Sequence, residues 1–82
     1  MRYEIEFIPS AREQLRALPK ETRCLIGAKL DRAQNDLSGD IKKLKGFKNK
    51  YRLRAGNYRV LFELEGARLV VYDVGDRKDI YE

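Results

Sequence analysis

A chain of 82 residues suffices for one domain spanning 1–82 and leaves no room for a second. With 43% hydrophobic and 38% charged residues it fits a globular fold with a wet surface, and no run approaches the ~20 apolar residues of a membrane helix. A net charge of +5, one cysteine and no histidine exclude an intrachain disulfide and the common zinc sites, and a free thiol fits a reducing cytoplasm.

The first segment, Arg2 to Ile8, alternates, with Tyr3, Ile5 and Phe7 on one face; this is a half-buried strand and not a signal peptide. Pro9 stops it, and Ser10 with Glu13 forms a capping-box pattern at a helix start. Ala11, Leu15 and Leu18 recur at helical spacing until Pro19, which breaks this helix and opens the next. Ile26, Leu30, Ala33 and Leu37 are the apolar stripe of the second helix, which Ser38-Gly39 ends. The short connection predicts a helical hairpin. Cys24 falls on the second helix with no histidine partner, so it reads as a structural thiol.

Residues 40–50 read as a basic loop. Tyr51 to Arg54 alternates again, Ala55-Gly56-Asn57 is a turn, and Tyr58 to Leu64 is a strand. Glu65-Gly66 makes a tight hairpin turn, and Ala67 to Val74 is a further strand that Gly75 breaks. The order β-α-α-β-β-β predicts an α+β domain with the helical hairpin on one face of a small, mostly antiparallel sheet.

Charge is not spread evenly over this plan. Between Ile41 and Arg59 lie Lys42, Lys43, Lys45, Lys48, Lys50, Arg52, Arg54 and Arg59, and no acid; the other residues carry ten bases against thirteen acids. A slightly acidic scaffold with one basic tract is the footprint of a polyanion-binding protein. Strand alternation places Arg52 and Arg54 on one face, roughly 6–7 Å apart, with Tyr51 and Leu53 on the other. On the next strand Tyr58, Val60, Phe62 and Leu64 face the helices, and Arg59, Leu61 and Glu63 face away. The arginines therefore share the sheet face that the helices leave open.

"KLKGFKNKYRLRAGNYRVLFEL" followed by "VVYDVGDRKDIY" resembles the RelE/ParE superfamily of toxin–antitoxin toxins, and most of all its RelE-like branch of messenger-RNA interferases. The resemblance covers the whole chain and rests on two linked motifs, Tyr-Arg-x-Arg-x-Gly-x-Tyr-Arg and Gly-x-Arg-Lys-Asp-x-Tyr. It implies a toxin that enters the ribosome and cuts the message by attack of a ribose 2′-hydroxyl on the adjacent phosphate, without metal or cofactor. It also implies a small acidic antitoxin as partner, in a toxin–antitoxin heterotetramer. The family's catalytic positions fall on Arg54, Arg59, Arg77 and Tyr81, and its RNA-binding positions on Lys45, Lys48, Lys50, Arg52 and Lys78.

Such a reaction builds negative charge on a pentacoordinate phosphorus, which guanidinium groups stabilise without losing their own charge. Tyr81 would stack on a base or orient the nucleophile. The proton acceptor is less plain. Arginine has a neutral fraction below ~10⁻⁵ at pH 7, so using it as a base costs near 7 kcal/mol. Lys50, Lys78 or the carboxylate of Asp76 are the alternatives; Asp76 stands where many relatives carry a basic residue or histidine, and it equally suits pairing with an arginine. Two other outcomes stay open from the sequence: a ParE-like inhibitor of DNA gyrase, which binds and does not cleave, and a catalytically weakened RelE homologue.

Overall fold

The computed structural model describes residues 2–37 and 40–76. The elements run β1 (Glu4–Phe7), α1 (Pro9–Arg16), α2 (Lys20–Ala33), β2 (Ile41–Lys43), β3 (Lys50–Ala55), β4 (Tyr58–Glu65) and β5 (Arg68–Asp76). The strands form one sheet in the order β1-β5-β4-β3-β2. β1 lies parallel to β5, and every other pairing is antiparallel. α1 packs over β5 and β1, and α2 over β3, so both helices cover the same face of the sheet.

Both helix starts are set by proline. Ile8 is the extended N-cap of α1 and Pro9 occupies its first turn, so the helix begins one residue before the Ser10–Glu13 pattern. That capping box does not form: no side chain caps α1, and Glu13 instead meets Arg16 at 3.5 Å. Proline suits the first helical position because its missing N–H has no intrahelical acceptor there and its φ is already helical. Pro19 serves as N-cap of α2. This helix ends at Ala33, where the N–H groups of Gln34, Asn35 and Asp36 fold back onto Leu30 and Arg32 carbonyls. The expected stop at Ser38-Gly39 lies outside the described residues.

The stripe expected on α2 is the buried one: Ile26, Leu30 and Ala33 are all inside, and Leu37 packs at the margin. They meet Leu53, Val60, Phe62, Leu69, Val71 and Val74 from the sheet. Phe62 is fully buried and stacks on Tyr51, ring centroids 5.5 Å apart. Each such side chain contributes about 1.5–3 kcal/mol by leaving water, which a domain of this size cannot spare.

The sheet differs from the sequence reading at two places. Ile41–Lys43, taken as loop, is a three-residue edge strand on β3. The Arg54 N–H donates to Asp40 O at 3.0 Å and the Leu44 N–H to Lys50 O at 2.9 Å, extending the ladder at both ends. Gly75 does not break β5, which continues to Asp76, with Gly75 in register with Arg59. β4 supplies paired backbone partners there, and these outweigh the weak strand preference of glycine.

Candidate functional site

The β3–β4 hairpin turns at Gly56, whose φ of +61° suits a residue without Cβ. That turn fixes the register Ala55↔Tyr58, Arg54↔Arg59, Leu53↔Val60 and Arg52↔Leu61. The consequence is direct. Leu53, Ala55 and Val60 are buried against the helices, and Lys50, Arg52, Arg54 and Arg59 alternate onto the opposite, uncovered face. Lys42 joins them through its register with Arg52. Leu61 also lies on this side; it is only 6% exposed yet stands outside the main core cluster, so it forms the apolar floor between the cations.

Arg54 and Arg59 stand directly across from each other. Side chains so placed have Cβ atoms about 4.5–5.5 Å apart, and like charges in that arrangement destabilise a sheet. A fold would not keep this pair for its own stability.

The loop between β2 and β3 carries Lys45 and Lys48, both exposed. It is pinned at one end by Asn49, whose amide donates to Glu63 Oε1 at 3.0 Å and to Leu64 O at 3.1 Å. Lys50 is held between two rings, its Nζ 4.6 Å from the Phe47 centroid and 5.3 Å from that of Tyr72. Tyr72 follows the buried Val71, so alternation puts it on this face, and a bulge interrupts the pairing there. Leu61 pairs with Asp73 and Phe62 with Val71, which leaves Tyr72 as the extra residue. Burial, together with the charges of Glu63 and Asp73, raises the Tyr72 phenol above its ordinary value, so it remains a proton donor. Neither Tyr72 nor Phe47 stood out in the sequence; the spacing Leu69, Val71, Val74, which slips from two to three, was the available signal for the bulge.

Asp76 is in register with Tyr58, one step out of phase with Gly75 and Arg59, so the pleat directs it to the other side of the sheet from the arginines. Arg77, Lys78 and Tyr81 lie outside the described residues. At the far end of the basic hairpin, Asp40 pairs with Lys29 of α2. That hydrogen bond and charge, with smaller help from Arg54 and Arg32, hold the Asp40 carboxyl below its usual range. Among the described residues no group of three or more potential metal ligands is gathered, and no helix is long and apolar enough to cross a membrane.

A family model for the ParE toxin of the type II toxin–antitoxin system parDE matches residues 5–81. The chain belongs to the RelE/ParE superfamily of toxins. Toxin RelE3 of Methanocaldococcus jannaschii is 50% identical over 48 residues, a match spanning 58% of this chain and 54% of that relative's length. The RelB–RelE antitoxin–toxin complex of Methanococcus jannaschii contains a chain 35% identical to this one. It superposes with a TM-score of 0.79 over 93% of this chain and 94% of that one. The archaeal RelE–RelB complex of Pyrococcus horikoshii OT3 shares the fold, with a TM-score of 0.82 at 22% identity over 98% and 100% of the two chains. The RelE/ParE fold thus accounts for the two helices on a five-stranded mixed sheet.

Proposed function

We propose that this RelE/ParE superfamily protein is a ribosome-dependent endoribonuclease, the toxin of a type II toxin–antitoxin pair, which cleaves messenger RNA by attack of a ribose 2′-hydroxyl on the adjacent phosphate. The observation that carries this reading is the gathering of Lys50, Arg52, Arg54 and Arg59 on the uncovered sheet face, with Arg54 directly opposite Arg59. Two guanidinium groups set across from each other on neighbouring strands are placed to grip one phosphate together. They donate in planar, bidentate geometry and keep their charge as the phosphorane forms, so the charge stabilisation is assigned to them and not to a metal.

Arg77, which follows the last residue of β5, and Tyr81 complete the catalytic set in this reading, with Lys78 among the RNA contacts. β5 ends beside β4 with Gly75 in register with Arg59, which supports a role for the residues that come next. Lys50 and Lys78 are the candidate proton acceptors among the bases. Asp76, out of phase with the arginines, is better suited to orienting a neighbouring cation.

The chain's own chemistry and its relatives together support an antitoxin partner. The solved relatives include RelB–RelE antitoxin–toxin complexes, and a tract with eight bases and no acid from Ile41 to Arg59 favours an acidic segment as its cover. Raising salt should then slow association clearly, while apolar burial keeps dissociation nearly unchanged.

The experiment is expression of the protein without its antitoxin, followed by mapping of message 5′ ends. New ends within translated frames, together with growth arrest, are the expected result. The family model's ParE name keeps gyrase inhibition as the second reading; intact messages with gyrase-linked DNA breaks would establish it instead.

A further inference from the structure

Beside the arginine face lies a cleft of about 380 Å³ lined by Lys42, Lys43, Leu44, Lys45, Phe47 and Arg52. Its lining holds four cations and no acid. It also holds the most exposed large apolar side chain among the described residues, Phe47, which stays 49% exposed. This phenylalanine lies outside the core cluster, so the core does not account for its place among the lysines.

The loop is built to hold that ring still. Gly46 turns the chain at a φ of +83° immediately before it. The Leu44 N–H donates to Lys50 O at 2.9 Å, closing the loop at its base. Asn49 fastens its other side to β4 through Glu63 and Leu64. The Lys50 ammonium sits over the ring, 4.6 Å from its centroid, and is itself braced against Tyr72. One face of Phe47 is thereby occupied by a cation and the remainder of the ring stays open.

We infer that this cleft is a second RNA subsite, in which Phe47 stacks an unpaired base while Lys42, Lys43, Lys45 and Arg52 take the flanking phosphates. An exposed aromatic ring among cations is the arrangement by which proteins hold single-stranded nucleic acid: the ring takes a base face and the cations track the backbone. A paired base offers no open face, so the subsite selects unpaired strand. Lys50 is a positioning residue for Phe47. Arg52 lines the cleft and lies one strand step, roughly 6–7 Å, from Arg54, so a single strand reaches from the subsite to the arginine pair. The inference rests on the RNA-binding part of the proposed function and not on cleavage.

The test uses the purified protein and a short oligoribonucleotide carrying 2-aminopurine, whose fluorescence is quenched by stacking. The wild type should bind and quench it, and should bind a blunt duplex of the same sequence more weakly. Phe47→Leu keeps apolar bulk but removes the π-face; it should abolish quenching and weaken binding by about tenfold, and Phe47→Trp should restore both. Lys45→Ala should leave quenching intact and lower the salt slope by about 0.7. Unchanged quenching and affinity in Phe47→Leu, or equal affinity for duplex, would overturn the inference while leaving the functional reading intact. If Phe47→Leu kept RNA affinity but lost affinity for an acidic peptide, the cleft would belong to a protein partner. A wild type that binds no free RNA would overturn the inference, while the ribosome-dependent reading stands or falls on the mapped message ends.

Discussion

Arg54→Gln separates what the arginine face does for stability from what it does for chemistry. Arg54 is exposed and directly opposite Arg59. Like charges directly opposite each other on neighbouring strands destabilise the pair by roughly 0.2–1 kcal/mol. Asp40 attracts Arg54, but its carboxylate is engaged first by Lys29, so this offsets only part of the repulsion. Glutamine keeps the backbone bond from position 54 to Asp40. The variant should therefore be more stable by about 0.5 kcal/mol, which for a domain of this size raises Tm by roughly 2–4 °C. Thermal unfolding followed by circular dichroism at low salt measures this. At ~1 M salt, where the screening length is ~3 Å, the difference should vanish. The same variant should lose ~10²-fold in single-turnover cleavage on programmed ribosomes, the loss expected for one transition-state donor. A variant that melts below the wild type at low salt would refute the argument that the pair is kept against the interest of the fold. Unchanged cleavage would mean that Arg54 only attracts RNA.

Asp40→Asn should lower Tm at pH 7. Because the Lys29 hydrogen bond and charge hold the folded carboxyl below its ordinary value, its contribution is present above the ordinary carboxylate range and is lost as pH falls through the lowered folded value; the gap between wild-type and variant melts should shrink steadily on acidification. Phe62→Ala removes a fully buried ring stacked on Tyr51. At about 3–5 kcal/mol it consumes most of a small domain's margin, and urea titration should find a largely unfolded protein. Gln14 of α1 accepts the Val74 N–H at 2.9 Å and donates to Asp73 at 3.0 Å, plugging β5 where it extends past β1. Gln14→Ala should cost about 1–2 kcal/mol, and hydrogen exchange should show the Val74 amide losing protection first.

How much of this was legible beforehand follows from which forces are local. The alternation Tyr51-Arg52-Leu53-Arg54 sorts cations from core because the pleat is a property of each strand alone, and the structure keeps that sorting. The same holds for Ile26, Leu30 and Ala33, whose spacing is a property of one helix. Features that depend on a distant partner were not legible. Ile41–Lys43 is too short and too basic to declare itself a strand, and it becomes one only because β3 offers a free edge. Ser10 and Glu13 satisfy the capping pattern, but Pro9 takes the helix start. Tyr72 stands on the cation side by alternation from Val71, but its meeting with Lys50 across β4 depends on how three strands pair, which no single strand's composition reveals. Lys50, read as the last residue of the basic loop, is the first residue of β3 and joins the arginine face by alternation, and the two rings that hold it come from a loop and from the far side of β4.

The parallel pairing of β1 with β5 also sets the order in which the molecule can be completed. Glu4 meets Arg68, and every residue of β1 has its strand partner on β5 alone. At ~5–20 residues per second of synthesis, β1 waits about 3–13 s before that partner exists. During this interval Ile5 and Phe7 have no sheet to join. The β3–β4 hairpin, which carries the facing arginines, is made before the strand that locks it into the fold. Such distant closure also slows folding relative to a local hairpin. Only the eleven residues from Gly66 to Asp76 separate the end of the hairpin from the end of β5, about 0.5–2 s of synthesis, so the sheet edge that β1 needs is among the last parts of the fold to be made.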